Sequence, residues 1–255
     1  MENKRIVFIT GATSGIGKAC AERFGKEGYD LILTGRRAER LQILREEIGN
    51  QYPVRIHTLC FDVQDREATF KNITQLPADW QHVQILVNNA GLAAGKDPFD
   101  EANMDDWETM LNTNVHGLLY VTRALLPFMK NAGSGHIINL GSIAGKEVYE
   151  NGNVYCASKS AVDALSAAMR IDLLKHGIKV TAIHPGAVET EFSLVRFKGD
   201  EAKSAATYNN YQPLTAADIA ETIFYCANLP AHVCINDLVI TCLSQAGPHY
   251  LYKSP

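Results

Sequence analysis

Ile6-Val7-Phe8-Ile9-Thr10-Gly11-Ala12-Thr13-Ser14-Gly15-Ile16-Gly17 runs from a short apolar segment through a glycine-rich turn into a helical pattern. A β-branched apolar run of this length, broken by Thr-Gly, reads as a buried strand over Arg5–Thr10. The spacing G-x-x-x-G-x-G at a first strand-to-helix turn suits a dinucleotide pyrophosphate. Glycines let the backbone approach the phosphates, and the helix N-terminus offers free N–H groups and a positive dipole end. Gly11, Thr13, Ser14, Gly15, Ile16 and Gly17 are therefore candidate cofactor contacts.

Outward from this turn, apolar runs alternate with helical patterns. Strands are expected at Arg5–Thr10, Leu31–Thr34, Val54–Cys60, Ile85–Asn88, His136–Leu140, Lys179–His184 and Asp237–Ile240. Helices are expected at Ser14–Glu27, Ala38–Ile48, Asp65–Gln75, Met104–Lys130, Val154–His176 and Ala216–Ala227. Near-continuous apolar strands alternating with helices predict an α/β fold. Its frame is a doubly wound parallel sheet of about seven strands flanked by helices. No repeat or linker interrupts the 255 residues, so one domain is expected, with its core over about 5–240. The stretch 186–213 has little period and reads as a substrate loop, and 243–255 reads as a tail.

Composition removes several function classes. Lys+Arg number 24 against Asp+Glu 28, a net charge of -4, and no basic run offers a grip on nucleic acid. No apolar run reaches the roughly 18 residues of a membrane-spanning helix. The six cysteines form no C-x-x-C pair and read as reduced thiols of a cytoplasmic protein. The eight histidines lack metal-ligand spacing, so no metal is expected.

The end of the second strand, Thr34-Gly35-Arg36-Arg37, carries two guanidiniums where an acidic residue would select a free ribose 2′-hydroxyl. A carboxylate would repel a 2′-phosphate, whereas arginine grips one with paired hydrogen bonds. The predicted cofactor is NADP(H), held by Arg36 with help from Arg37. Asp62 and Val63 follow the third strand, and Asn88, Ala90 and Gly91 the fourth, all at carboxyl ends where such ligands lie. The two asparagines at 88 and 89 equally suit a self-bonded turn.

Ser142 follows the fifth strand, and Tyr155 and Lys159 stand four apart on a predicted helix, sharing a face. A free tyrosine titrates at about 10; a nearby ammonium favours its phenolate and makes it a usable base. By itself the Tyr–Lys spacing also fits an ordinary surface pair.

Thr10–Gly17, Asn88–Gly91, Asn114, Ser142, Tyr155 and Lys159 together resemble the short-chain dehydrogenase/reductase family, with its Rossmann-type fold, from Arg5 to about Ile240. The resemblance implies that Tyr155 is the acid/base, Ser142 polarises the reacting oxygen, and Lys159 holds the ribose and lowers the tyrosine pKa. Asn114 would hold a water in the proton relay. His184–Thr190 resembles the family's nicotinamide loop, placing Pro185, Gly186, Val188 and Thr190 at the cofactor. The family also implies a homotetramer built on the two long helices, whose Ala161, Ala164, Ala167 and Ala168 permit close approach.

Three segments, Asn88–Pro98, Asp106–Met110 and Glu191–Asp200, are similar to the subgroup of NADP-dependent 3-hydroxy acid dehydrogenases acting on serine, allo-threonine and malonic semialdehyde. Gly186–Glu189 is shorter than that subgroup's loop. A hydroxy acid needs a cationic partner, and Arg196 suits it bidentately; Lys198, Lys146 and Lys96 are weaker candidates. Glu147 and Tyr149, between Ser142 and Tyr155, are candidate pocket residues. His184 reads as structural because it ends a buried strand, and Cys156 as packing. Alternative readings are a 3-oxoacyl carrier reductase, a reductase of sugars or other carbonyls, and an NADPH-sensing regulator without turnover.

Overall fold

A computed structural model of the chain describes residues 5–253. The first four residues and the last two, at the ends of the predicted domain and tail, lie outside the described residues. The chain runs β1 (Ile6–Ile9), α1 (Gly15–Lys26), β2 (Asp30–Gly35), α2 (Ala38–Gln51), β3 (Ile56–Cys60), α3 (Arg66–Thr74) and β4 (Val83–Asn88). It continues α4 (Met104–Leu111), α5 (Leu118–Ala132), β5 (Gly135–Leu140), α6 (Asn153–Leu173) and β6 (Ile178–Pro185). After β7 (Val188–Glu189), α7 (Phe192–Arg196), α8 (Glu201–Ala206) and β8 (Leu214–Thr215), it closes with α9 (Ala216–Ala227) and β9 (Asp237–Ile240).

Seven strands form one parallel sheet in the order β3-β2-β1-β4-β5-β6-β9. The winding reverses between β1 and β4, which opens a crevice at their carboxyl ends. Alternation along β1 divides the core. Val7 and Ile9 join Phe24 of α1, Leu44 of α2 and Ile223 of α9 on one face. Ile6 and Phe8 join Ile73 of α3, Leu125 of α5 and Leu173 of α6 on the other. Each such large side chain fully removed from water contributes roughly 1.5–3 kcal/mol.

Two expectations need correction. The continuous helix predicted over Met104–Lys130 is broken by a wide π-helical turn at Asn112–Gly117. The turn is polar, Asn-Thr-Asn-Val-His-Gly, and buries Thr113, Asn114 and Gly117 between the apolar faces of α4 and α5. Beneath it, a Cβ on Gly117 would lie 2.7 Å from Val63 Cγ2, so the turn packs directly on the segment after β3. The second concerns 186–213, expected as a substrate loop of little period: it carries α7 and α8 between β7 and β8, and these two strands pair in parallel, β8 just beyond residue 213. Other element ends differ from expectation by a turn or less. No helix among the described residues is long and apolar enough to cross a membrane. Cys20, Cys60, Cys156, Cys226, Cys234 and Cys242 are all free thiols.

Candidate active site

The carboxyl ends of β1, β2, β4, β5 and β6 surround a groove of about 1490 Å³ open to solvent. Its floor is the glycine turn. Gly11 and Gly15 hold φ of 65° and 51°, conformations that side chains with a Cβ rarely adopt. A Cβ on Gly17 would come within 2.3 Å of the Gly11 carbonyl, so only glycine lets α1 pack this close to the turn. Ser14, the N-cap of α1, makes no side-chain cap bond to the helix. Its hydroxyl instead accepts from Arg37 NH2 at 3.0 Å.

Arg37 also donates to the Thr13 hydroxyl from Nε at 3.2 Å and from NH2 at 2.9 Å. Arg36 lies 3.4 Å from Asp62 and is mostly exposed. Thr13, Arg36, Arg37, Asp62 and Val63 all line the groove. This donor set at a helix N-terminus, with glycines where a side chain would fill the cradle, fits a phosphorylated dinucleotide. Sequence reasoning missed Glu191, whose carboxylate crosses the groove mouth to Arg40 NH1 at 2.9 Å and Arg37 NH1 at 3.3 Å. Those arginines hold its carboxyl below the usual glutamate range, although burial opposes them. Arg40, three residues beyond Arg37 on a helix, was the signal available for that ion pair.

The two asparagines ending β4 do different things. Asn88, a candidate cofactor residue, is instead buried under the groove floor. Its Nδ2 donates to Thr122 Oγ1 and Asn139 Oδ1, both at 2.9 Å, and it is absent from the groove wall. Asn89 lines the groove and ties the β4 end to the glycine turn, donating from Nδ2 to the Thr10 carbonyl at 2.9 Å. Thr10 Oγ1 accepts from the backbone of Asn89 and Ala90 at 3.0 and 2.9 Å. Ala90, Gly91, Pro185, Gly186, Val188 and Thr190 line the groove as expected, with Gly11, Thr13, Ser14, Gly15 and Ile16. Gly17 acts one layer below.

Ser142, Tyr155 and Lys159 converge at the inner end of the groove, each almost wholly buried. Ser142 Oγ accepts from Ala144 N at 3.1 Å, which fixes its rotamer beside the phenol. Burial pushes the Tyr155 phenol well above its ordinary value, and Tyr149 adds to this. The hydrogen bond with Ser142 and the charge of Arg196 pull it back down. Lys159 Nζ donates to the Leu140 carbonyl at 2.8 Å, and burial lowers it to about 8.

Asn114 sits in the π-helical turn with both amide hydrogens in use. Oδ1 accepts from Leu92 N and Nδ2 donates to Leu92 O, both at 2.8 Å, and Nδ2 also reaches Ser158 Oγ at 3.0 Å. The side chain thus braces the loop after β4. The wide turn is what aims this amide sideways out of the helix.

Of the candidate substrate residues, Arg196 and Tyr149 come together just outside the groove wall, Arg196 in a small side cavity that Tyr155 also lines, and Glu147 does not join them. Arg196 NH1 donates to Tyr149 OH at 2.9 Å and Nε to the Gly95 carbonyl at 3.3 Å. The guanidinium carbon lies 5.6 Å from the Tyr155 ring centroid. Its NH2 is buried without a hydrogen-bond partner. Glu147 is exposed and faces His249, at 3.8 Å, away from the groove. Lys198 is paired with Asp106 at 2.8 Å, and Lys146 is held by Asp163 and Asp237. Phe192 and Val195, to which the sequence pattern assigned no role, line the groove beside Tyr155.

A glycine-cradled groove at the sheet's switch point, with a buried serine, tyrosine and lysine at its inner end, defines a dinucleotide-dependent oxidoreductase. The chain belongs to the short-chain dehydrogenase family, whose sequence model matches residues 5–200. It is 48% identical over 242 residues to the NADP-dependent 3-hydroxy acid dehydrogenase YdfG of Salmonella typhi, covering 94% of this chain and 96% of that protein. It is 49% identical over 242 residues to sulfoacetaldehyde reductase 2 of Chromohalobacter salexigens, covering 94% and 95% respectively. A solved structure of the closed form of serine dehydrogenase complexed with NADP+ superposes with a TM-score of 0.92 at 45% identity, covering 98% of this chain and all of that one.

Proposed function

We propose that the enzyme transfers hydride between NADP(H) and a small 3-hydroxy acid or its 3-oxo partner, with Tyr155 as general acid/base. The observation that carries the acid preference is the buried, unpartnered NH2 of Arg196 beside the Tyr155 ring. A buried guanidinium donor left unpaired is costly, and a carboxylate two bonds from the reacting carbon would satisfy it. The relatives named for 3-hydroxy acids and serine support the same reading.

When bound, NADP(H) supplies or accepts the hydride. The chain's residues do the rest. In reduction Tyr155, kept protonated by burial, donates its phenolic proton to the carbonyl oxygen. In oxidation it takes that proton back from the hydroxyl. Ser142 hydrogen-bonds the same oxygen and holds it against the phenol. Thr13, Ser14, Arg36 and Arg37 receive the 2′-phosphate end, and Lys159 is the cation for the ribose. Asn114 supports the site by fixing the Leu92 backbone, and a water it holds in a proton relay would meet its backbone or the second lone pair of Oδ1, since both amide hydrogens are in use.

The same guanidinium favours a second substrate. A sulfonate two bonds from an aldehyde places its anion like that of malonic semialdehyde, and one relative is named for sulfoacetaldehyde. Self-association to a homotetramer belongs to this proposal, supported by exposed Met104, Leu111, Ile171 and Leu174 on and beside the long helices. A cytoplasmic location is proposed with it, on the free thiols. The test is turnover of 3-hydroxy acids, with neutral alcohols of equal size as controls. Faster turnover of the neutral compounds refutes the acid preference.

A further inference from the structure

His184 is the penultimate residue of β6, directly before the Pro185-Gly186 segment that lines the groove. Its ring is wholly buried. It lies flat against the backbone leading to Ser142: a Cβ on Gly141 would come within 2.4 Å of Nδ1. Nδ1 stands 3.3 Å from the Ser142 carbonyl. Nε2 faces two carboxylates, Asp237 Oδ1 at 3.1 Å and Asp163 Oδ1 at 3.6 Å, and has no well-aligned hydrogen-bond partner. The far oxygens of both carboxylates hold Lys146 Nζ, that of Asp163 at 2.9 Å. Asp163 lies on α6 one turn beyond Lys159 and two beyond Tyr155, so all three share a face. The cluster therefore lies directly behind the catalytic residues and joins α6, β6, β9 and the turn carrying Ser142.

Both ring nitrogens of His184 face only acceptors. A neutral imidazole donates from one nitrogen and turns a lone pair towards an oxygen at the other. The imidazolium donates from both. It also balances the cluster, since two carboxylates, one ammonium and one imidazolium sum to zero charge. With His184 neutral, a single proton serves both nitrogens: on Nδ1 it keeps the bond to the Ser142 carbonyl, and each time the carboxylates draw it to Nε2 that carbonyl loses its donor.

We infer that His184 is a positioning residue for Ser142: its doubly donating form grips the Ser142 carbonyl and so fixes the hydroxyl beside Tyr155, and loss of its proton slackens that grip. The inference rests on the proposed role of Ser142. Burial and Lys146 hold the imidazole below its ordinary range, while Asp237, Asp163 and the Ser142 carbonyl oppose them. The grip therefore tightens as pH falls below about 6.5.

The test is kcat against pH for the wild type and four variants, with the His184 ring followed by NMR in the whole enzyme. The wild type is expected to show an ionisation in kcat that coincides with the His184 titration. His184→Leu lowers kcat about three- to tenfold on loss of the hydrogen bond and abolishes the ionisation. In His184→Asn, an amide donor replaces Nδ1, which restores kcat with no ionisation. Asp163→Asn and Lys146→Gln, which leave the ring in place, shift the ionisation in opposite directions: down when a carboxylate is lost, up when the ammonium is lost. An ionisation that survives in His184→Leu, or fails to shift oppositely in the two charge variants, overturns the inference. So does stoichiometric Zn²⁺ binding that Asp237→Asn abolishes, because the cation of the cluster would then be a metal. Tyr155→Phe separates the two levels: if it turns over normally, the reading of the site fails first, whatever His184 does.

Discussion

Replacing Arg196 by leucine removes the cation beside Tyr155 and leaves a shorter apolar side chain. Three contacts go. The bonds to Gly95 O and Tyr149 OH, at 3.3 and 2.9 Å, brace the pocket for any substrate. Each has a charged donor, and such bonds contribute about 1.5–3 kcal/mol whatever the substrate. The buried NH2 has no protein partner, and as a substrate clamp it serves only an anion. A charge-assisted bond of that kind contributes about 1.5–3 kcal/mol, or about 10- to 150-fold in kcat/KM. The assay compares kcat/KM for a 3-hydroxy acid and for a neutral alcohol of equal size in wild type and Arg196→Leu. The ratio of the two losses isolates the charge, and it is expected to reach at least about tenfold. Arg196→Lys restores part of it, as a point charge without the planar fork. Arg196 also pulls the Tyr155 phenol down, so its removal moves the alkaline limb of the oxidation rate to higher pH. Equal losses for acid and neutral alcohol would refute the clamp.

Arg37→Ala should raise KM for NADP+ about 10- to 100-fold by loss of a phosphate partner, and leave NAD+ kinetics nearly unchanged. A parallel loss for both cofactors would place Arg37 elsewhere. Asn114→Ala strands the Leu92 N–H and carbonyl and should cost about 2–4 kcal/mol in denaturant unfolding; an unchanged midpoint would contradict the bracing role. Burial lowers Lys159 to about 8 from 10.5, so between those values the unfolded chain holds the extra proton and folding becomes more favourable as pH rises. The stability of wild type relative to Lys159→Met should therefore increase from about pH 8 to about pH 10, and a flat difference would contradict the buried charge.

The sheet was legible because its strands are apolar on both faces and its turns carry glycine or proline. The crevice followed from the glycine turn's place after the first strand. What escaped the sequence depended on direction and on distant partners. Asn88 and Asn89 are identical in kind. Strand alternation, which no pattern at a strand end fixes to within one residue, sends one into the core and the other to the groove. The π-helical turn at Asn112–Gly117 keeps helical hydrogen bonding and carries no proline, so the apolar patterns on either side read as one helix. Glu147 and Tyr149 are two apart in the segment between Ser142 and Tyr155, and only the fold shows which one meets Arg196. His184 looked structural because its carboxylate neighbours come from α6 and β9, far away in the chain. Its burial was readable, but its company was not.

NADP-linked hydride transfer to and from 3-hydroxy acids through Tyr155 is tested most directly by NADPH absorbance. Wild-type enzyme and Tyr155→Phe are compared as they oxidise a panel of serine isomers, allo-threonine, 3-hydroxypropionate and neutral alcohols, with NADP+ and with NAD+. The expected result is turnover of the 3-hydroxy acids with NADP+, little with NAD+, and loss of turnover in Tyr155→Phe with NADPH binding retained. Near-normal turnover by Tyr155→Phe, or activity confined to neutral alcohols, would contradict it.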